Sequence, residues 1–476
     1  MNRALSVVLA IVAVVAAGAT ALWLGNRSHP SAPPSVAASH TAAPKASEVY
    51  ARDGKTLIVR FDGDPQARCL GLPTASWGYF CDYLVGWWQA QLAFGASPAE
   101  RLGKLRTGGY RITSSLDLGL QATALRQVES VAPENAAGGR TTFSVATVVP
   151  GTGLIRALAV NQRHQPPSMA PDGSPNTLPS GPAGAPFMMF TAVAALEAGI
   201  PLNHTINTTR VHETQFRVSP GDPTACGSPA HWCPANVGDK RYLSGRRTVW
   251  EAFTHAVNTY FVALEEKVGV DKVVDVARRL GIRFTSAVDQ DLAGKYANMW
   301  GAFTLGVSQT TAVDLANAYA TLAADGLRCD PRPVQAITDA YGSPVNGTGP
   351  VCGQLVSAEV ARAAVDAGRC AVGDRSAEGD VCGPGVVPAS GVLATAGRPV
   401  TGQFGTNYQG TAGALVVASP GVSTAGLLTV PNGAENAKLN PAGLIQVVSR
   451  IHHDGLIGTP VRPFPVPSES LARGHS

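Results

Sequence analysis

The sequence predicts an α+β fold whose sheet is assembled from segments that lie far apart in the chain. Alternating apolar residues predict one pair of strands at 142–150 and 154–160, and a second pair at 411–419 and 424–430. Longer apolar segments between the two pairs predict helices at 187–198, about 249–267, 271–280 and 310–324. Because strands flank this region and helices fill its middle, the sheet must pair strands that are distant in sequence.

Shorter patterns place the elements upstream of the first strand pair. The aromatic-rich segment 77–92 predicts a helix, residues 105–117 alternate like a strand after a glycine turn, and 118–131 predicts a further helix. The first two strands of the main sheet are separated by Gly151-Thr152-Gly153. Glycine supplies the positive φ that a tight hairpin turn needs, so this segment predicts a hairpin.

Composition limits the class of protein. The chain has 476 residues, of which 45% are hydrophobic and 15% charged, so it can form a sizeable core in about two or three domains. The formal net charge is only +4, and no basic run with interleaved aromatic residues occurs. A nucleic-acid partner is therefore not expected.

The N-terminal segment predicts membrane targeting. Residues 1–3 include one arginine and predict a short cytoplasmic tail, and residues 4–24 are uncharged and largely apolar. About 20 such residues suffice to span a bilayer, which predicts a single-pass anchor in the cell membrane with the folded part extracytoplasmic. A cleaved signal peptide remains the alternative, because 17–19 and 19–21 have small residues suited to cleavage. Trp23 continues the apolar run beyond those sites and favours a retained anchor.

The exported part divides by composition and by pattern. Residues 25–47 are rich in Ser, Ala and Pro and predict a flexible linker. We expect a small N-terminal domain at 48–135, a main domain at 136–463, and a flexible tail at 464–476.

Eight cysteines follow the apolar segment, as expected for an exported chain with disulfides. Close spacing favours four pairs, although sequence alone leaves other pairings open. The favoured pairs are Cys69–Cys81, Cys226–Cys233, Cys329–Cys352 and Cys370–Cys382. No C-x-x-C occurs, so a metal site is not expected.

Four segments, in the same order along the chain, resemble the penicillin-binding transpeptidases. Residues 79–83 and 108–117 resemble the linker of the bifunctional members, 148–158 resembles the first strand pair of the transpeptidase fold, and 305–320 resembles its L-G-x-x-x-x-T-x-x-x-L-A-x-A-Y helix. The resemblance implies a linker domain at 48–135 and, at 136–463, a transpeptidase-like domain similar to serine β-lactamases, with an antiparallel sheet and a helical subdomain. Residues 25–75 leave no room for a glycosyltransferase domain, so polymerisation of peptidoglycan is not expected.

The segment 184–199 resembles the family's active-site helix, yet its catalytic residue types are absent. In the family, S-x-x-K supplies a serine nucleophile and the lysine that takes its proton. Here those positions hold Ala185 and Met188, and the family's second motif, S-x-N, corresponds to Ala256-Val257-Asn258. The third motif, K-[TS]-G, corresponds to a segment containing Arg398 or, two residues later, to one containing Thr401. None of the eight lysines follows a serine by three residues or begins a K-[TS]-G.

The resemblance and the missing residues together predict a catalytically degenerate homologue that needs no cofactor. It would bind or scaffold other proteins of cell-wall synthesis in peptidoglycan and envelope assembly. Two alternatives remain open: an active D,D-transpeptidase or D,D-peptidase with another nucleophile, and a non-covalent sensor of peptidoglycan stem peptides or β-lactams. For a sensor, the ligand-binding candidates are Asn258, Arg398 and Thr401. Packing of Met188 and Phe187 into the vacated space is the competing expectation for the pocket.

Overall fold

The computed structural model describes residues 45–72, 75–131, 141–162, 168–169, 175–176, 178–237, 243–430 and 439–474. Residues 44–476 cluster as one compact unit. The predicted tail 1–3, the anchor 4–24 and nearly all of the linker 25–47 lie outside the described residues, as does the predicted boundary at 135/136. In the part that is described, no helix is both long enough and apolar enough to cross a membrane.

The strands and helices are numbered in chain order. The strands are β1 Ser47–Tyr50, β2 Leu57–Phe61, β3 Arg111–Ser114, β4 Thr142–Val148, β5 Ile155–Val160, β6 Ser168–Met169, β7 Pro175–Asn176, β8 Ser180–Pro182, β9 Ile206–Thr208, β10 Ala225–Cys226, β11 His231–Trp232, β12 Gly245–Arg247, β13 Gln309–Thr311, β14 Leu327–Cys329, β15 Val334–Thr338, β16 Cys352–Gln354, β17 Thr401–Thr406, β18 Ala412–Ala418 and β19 Ser423–Thr429. The α-helices are α1 Pro65–Leu70, α2 Ala75–Ala90, α3 Pro98–Thr107, α4 Leu118–Val131, α5 Met188–Glu197, α6 Val249–Thr254, α7 Asn258–Val268, α8 Val270–Leu280, α9 Ala287–Lys295, α10 Ala312–Ala323, α11 Ala358–Arg369, α12 Val392–Ala396, α13 Pro441–Leu456 and α14 Glu469–Arg473. Short 3-10 turns include Ala185–Phe187 and Phe303–Leu305.

The main sheet is antiparallel and has the order β17-β18-β19-β4-β5. Strand β19 pairs with β4 so that Gly426 lies opposite Val145, which confirms that the sheet joins distant segments. Helix α10 contacts β4 and β19, and helices α4 and α13 contact β5 and β18 respectively. A Cβ at Gly426 would lie 2.4 Å from a methyl of Val448 on α13, so only glycine allows this close approach of helix and sheet.

A second, smaller sheet has the order β15-β3-β1-β2. Its edge strand, β15, comes from beyond residue 330, so the small sheet is not confined to the predicted domain 48–135. The predicted strand at 105–117 begins only at Arg111, because residues 105–107 belong to helix α3 and the glycine turn follows that helix. Ser97 caps that helix by accepting a hydrogen bond from the Glu100 N–H, and Leu105 faces the core.

The predicted long helix at 249–267 is divided into α6 and α7. Between them Ala256 has a φ of +50°, a left-handed conformation that a continuous right-handed helix excludes. No local pattern indicates this break, because alanine is a strong helix former.

Residues 464–474, which lie in the segment expected to be a flexible tail, contact the rest of the fold. Residues Glu469–Arg473 form α14, Ala472 is fully buried, and Phe464 is buried in the main core. Hydrogen bonds from the Leu202 and Asn203 N–H groups to carbonyl groups of α14 hold the helix in place. Long-range contacts of this kind leave no local pattern in the sequence.

All eight cysteines form disulfides in the four pairs favoured by spacing. The sequence separations are 12, 7, 23 and 12 residues. Short loops bring their ends together at low entropic cost, which is why neighbouring cysteines paired as predicted.

Candidate functional site

The start of helix α5 is the part of the chain that resembles an active-site helix. Gly184 precedes it with a φ of +73°, and a Cβ there would lie 2.8 Å from the backbone N and O of Thr406. Glycine is therefore required for the close approach of this turn to strand β17. Ala185 begins a single 3-10 turn that leads into α5, and the Tyr319 hydroxyl donates a hydrogen bond to the Pro186 carbonyl at 3.0 Å.

The side chains that follow Ala185 are packed in the core. Phe187 is completely buried and makes edge contacts with the rings of Phe190 and Phe303, at centroid distances of 5.0 and 5.4 Å. Met188, one turn after Ala185, is 1% exposed and belongs to the same core cluster. An unbranched thioether fills such irregular space well, and it supplies no group that could accept a proton at neutral pH. The start of α5 is apolar where the family has its serine and lysine.

The turn between α6 and α7 carries the second group of predicted positions. The Ala256 N–H donates to the Phe253 carbonyl at 3.2 Å, and the Val257 N–H donates to the Ala252 carbonyl at 2.9 Å. These bonds close α6 and hold Ala256 in its left-handed conformation. For a residue with a Cβ this conformation costs roughly 1–2 kcal/mol, so the surrounding structure must maintain it.

Asn258 begins α7 and is half-buried. Its Nδ2 donates to the Ala235 carbonyl at 3.0 Å, which ties the helix to the loop that follows the Cys226–Cys233 disulfide. The next residue, Thr259, is buried and donates to the Thr209 carbonyl at 3.0 Å. The structure thus gives the Asn258 amide a role in joining two segments of the protein.

Strand β17 lies beside Ala185, and the residues that face it differ from those expected. A Cβ at Gly405 would lie 2.2 Å from the Ala185 N. Gly405 is therefore the residue of β17 that contacts the start of the α5 segment. Gln403, two residues earlier, is on the same face of the strand and is buried. Its Nε2 donates to the Phe253 carbonyl at 2.5 Å, which connects the sheet to the end of α6.

The side chains of Arg398 and Thr401, which were expected to bind a ligand at the site, contact other parts of the protein. The Arg398 Nη1 donates to both the carbonyl and the Oγ1 of Thr459, each at 2.8 Å. Thr401 is buried and its hydroxyl donates to the Val365 carbonyl at 2.8 Å. Along a strand, Thr401 is about 13 Å from Gly405. The structure thus engages both side chains with other partners and does not bring them together at Ala185.

A buried polar cluster lies behind α5 and was not anticipated from the sequence. The hydroxyls of Thr191 and Thr304 are 2.7 Å apart, and the Thr304 N–H donates to Glu265 Oε1 at 3.0 Å. Glu265 is completely buried, and its Oε2 has no hydrogen-bond partner among the residues that the structure describes. Burial raises the pKa of Glu265 well above its ordinary value, with a smaller contribution from the Glu266 charge. The only sequence signal was an acidic residue on the otherwise apolar face of α7.

His255 precedes Ala256 and is half-buried. Burial, and then the charge of Arg247, lower the pKa of His255 despite hydrogen bonds to the carbonyl groups of Val386 and Gly383. The histidine is thus engaged by the loop at 383–386. Among the residues that the structure describes, no three His, Cys, Asp or Glu side chains are grouped so that they could hold a metal ion.

Comparison with known proteins agrees with this architecture. Residues 182–367 match the family model of the penicillin binding protein transpeptidase domain. Penicillin-binding protein 1A of Mycolicibacterium smegmatis is 26% identical over 384 residues, which are 77% of this chain and 44% of that protein. Penicillin-binding protein 1A of Mycobacterium tuberculosis is 26% identical over 245 residues, 50% of this chain and 26% of that protein.

A solved structure shows the same fold. The structure of the penicillin-binding protein PonA1 from Mycobacterium tuberculosis matches with a TM-score of 0.59 and 24% identity, covering 77% of this chain and 90% of that one. The described helices and antiparallel sheet thus form the α+β fold of that structure. The chain spans less than half the length of the two curated relatives.

Proposed function

Because the chain belongs to the penicillin-binding protein transpeptidase family, we propose that it is a member without acyl-transfer activity that binds or scaffolds other components of peptidoglycan and envelope assembly. One observation carries the proposal: the start of α5 presents Ala185 and a buried Met188, and neither can act as nucleophile or base. The second motif supplies Ala256, and β17 supplies Gln403 beside the site. No lysine side chain occurs in any of these segments.

The apolar replacements also support a maintained structure. A lysine at position 188 would be buried among apolar side chains, where an unpaired charge is costly. Met188 removes that cost and completes the packing around Phe187. The Gln403–Phe253 hydrogen bond joins sheet and helices across the same region. A rigid, well-packed site suits a protein that acts through its shape and surface.

An active enzyme with another nucleophile is the rival function. A serine–histidine contact does occur, with Ser419 Oγ 3.0 Å from His452 Nε2, but both residues are at most 1% exposed. The Ser419 hydroxyl donates its hydrogen bond to the Pro399 carbonyl. His452 Nε2 must therefore donate to Ser419 Oγ and cannot act as the base that deprotonates it. Burial lowers the pKa of His452 to about 3. This pair therefore gives the rival no support.

A non-covalent sensor has less support than a scaffold. Phe187 and Met188 are buried, as expected if they fill the vacated space, and Arg398 Nη1 is engaged by Thr459 rather than at the start of α5. The Asn258 side-chain amide is half-buried, but its Nδ2 already donates a hydrogen bond to the Ala235 carbonyl. The sensor would therefore lack the cationic contact that it was expected to use.

The proposal includes the cellular place of the protein. Residues 4–24 would anchor the chain in the membrane, and the folded part would lie outside the cytoplasm. The four disulfides support this, because such bonds form and persist in oxidising compartments. Its partners would then be other proteins of the cell wall.

Acylation by penicillin is the direct test. The purified protein is incubated with a fluorescent penicillin beside an active penicillin-binding protein as positive control, and intact mass is measured. We expect no covalent adduct. A stoichiometric adduct, located on any serine or threonine by peptide mapping, would establish the rival enzyme.

A complementation assay tests the scaffolding part. Thr406 is exposed and lies beside Gly184, so it has the accessible hydroxyl nearest to the start of α5 in β17. In cells that lack the protein, Thr406→Val should support envelope assembly as well as the unmodified chain does. Loss of complementation by a stably folded Thr406→Val would argue for chemistry at this site.

A further inference from the structure

Residues 459–474 cross from the main sheet to the helices beside the site, and we call this segment the strap. At its start Thr459 is held by Arg398, which lies just before β17. Midway, Phe464 and Pro467 are buried while the residues between them are exposed. Two buried side chains in an otherwise exposed segment indicate docking at discrete points.

The end of the strap docks onto the loop that follows α5. The Leu202 N–H donates to the Leu471 carbonyl at 2.8 Å, and the Asn203 N–H donates to the Ala472 carbonyl at 3.0 Å. The Asn203 Nδ2 donates to the Arg473 carbonyl at 2.6 Å. Ala472 is completely buried. Helix α14 thus uses its free C-terminal carbonyl groups to hold residues 202–203.

The same loop holds the beginning of α6. The Leu202 carbonyl accepts a hydrogen bond at 3.0 Å from the N–H of Val249, the first residue of α6. That helix is only six residues long and is followed by the left-handed Ala256. Leu202 therefore binds the strap through its N–H group and the first residue of α6 through its carbonyl group.

A second route connects the strap to α6 through a buried carboxylate. The Arg473 Nε lies 2.7 Å from Glu378 Oε2. In the same loop, the Ser376 hydroxyl donates to Asp366 Oδ2 at 2.5 Å. The Trp250 Nε1 on α6 donates to the same Asp366 oxygen at 2.9 Å, and Asp366 is 2% exposed. Both routes end within the first two residues of α6.

A cavity of about 530 Å³ lies at this junction, and its lining includes Asn203, Thr248, Asp380 and Arg473. The strap and the start of α6 face each other across it. Beside the buried Ala472, their connection runs through hydrogen bonds and one ion pair.

We propose that docking of the strap sets the position of α6 and, through it, the backbone at Ala256, so that the strap controls the conformation of the site. When docked, the strap orders residues 202–203 and the loop at 376–378, which both support α6. When it is released, both supports loosen and the constraint on the left-handed turn weakens. This coupling does not depend on whether the site is catalytic.

Hydrogen–deuterium exchange of the full chain tests the proposal. Ala472→Arg places a large charged side chain at a completely buried position and should undock α14. We expect amides at 249–257 to exchange at least about tenfold faster, the factor that corresponds to about 1.4 kcal/mol of local opening free energy. Amides of β18 and β19 should keep their rates. Val466→Arg, the same kind of change at an exposed position of the strap, should leave 249–257 unchanged.

A charge swap covers the case in which Ala472→Arg loosens the whole protein. Arg473→Glu should accelerate exchange at 249–257 by roughly two- to fivefold, because an exposed ion pair is weak. Adding Glu378→Arg should restore the original rate. Unchanged exchange at 249–257 in Arg473→Glu, or acceleration confined to 464–474, would overturn the proposal.

Discussion

Replacing Glu265 by glutamine should make the protein more stable, and increasingly so as pH rises. Glu265 is completely buried behind α5 and accepts one hydrogen bond from the Thr304 N–H, while no described residue bonds its Oε2. Burial raises its pKa well above the ordinary value of 4.5. Below pH 4.5 the carboxyl is protonated in both the folded and the unfolded chain, so its stabilising contribution is fully present. Above pH 4.5 the unfolded chain releases the proton and the folded chain keeps it, so that contribution is lost as pH rises toward the folded pKa.

The size of the effect follows from this linkage. Each pH unit between 4.5 and the folded pKa costs the unmodified protein about 1.4 kcal/mol relative to the glutamine variant. Glutamine has the shape of the protonated carboxyl, can accept the Thr304 N–H, and does not titrate. The difference in the free energy of unfolding should therefore grow from pH 5 upward until the pH reaches the folded pKa of Glu265.

Urea unfolding at pH 5, 6 and 7 measures this difference. Glu129→Gln, at an exposed position of α4, is the matched control and should show no such growth. An equal difference between Glu265→Gln and the unmodified protein at pH 5 and pH 7 would refute the reasoning. So would a variant that is less stable than the unmodified protein at pH 7.

Three further predictions concern the site and the disulfides. Ala256→Gly should stabilise the protein by about 1 kcal/mol in urea unfolding, because glycine adopts a φ of +50° without strain. The same exchange at Ala122, within α4, should instead destabilise it by about 1 kcal/mol; destabilisation at both positions would contradict the strain argument. Met188→Lys should lower the free energy of unfolding by about 3–5 kcal/mol because it buries an unpaired charge, whereas Met299→Lys, at a position 73% exposed, should be nearly neutral. Thiol titration of the denatured, non-reduced protein should find no free cysteine, and two or more free thiols per chain would exclude the four disulfides.

Local sequence pattern was sufficient to predict many of the helices and strands. Helix 118–131 was predicted with the bounds that α4 has, and the strands at 142–150 and 424–430 differ from β4 and β19 by only one or two residues at their ends. The four disulfides followed from spacing for a similar reason, since each closes a loop of at most 23 residues. Elements with a weaker pattern of apolar residues were not predicted. They include the glycine-containing strand β17 and helices α11 and α13.

The sequence by itself determined the residue types at the site. The absence of a serine and a lysine at positions 185 and 188 is chemical and holds in any fold. It also determined the family resemblance, because residue order along short segments carries that signal.

Only the tertiary structure decided which distant residues meet. It placed Gln403 and Gly405, rather than Arg398 and Thr401, beside the start of α5, because the register of β17 is fixed by its pairing with β18. It broke the helix at Ala256 and buried Glu265. Side-chain periodicity reports neighbours one or two turns away, whereas these outcomes depend on packing between segments separated by up to hundreds of residues, which no local pattern encodes.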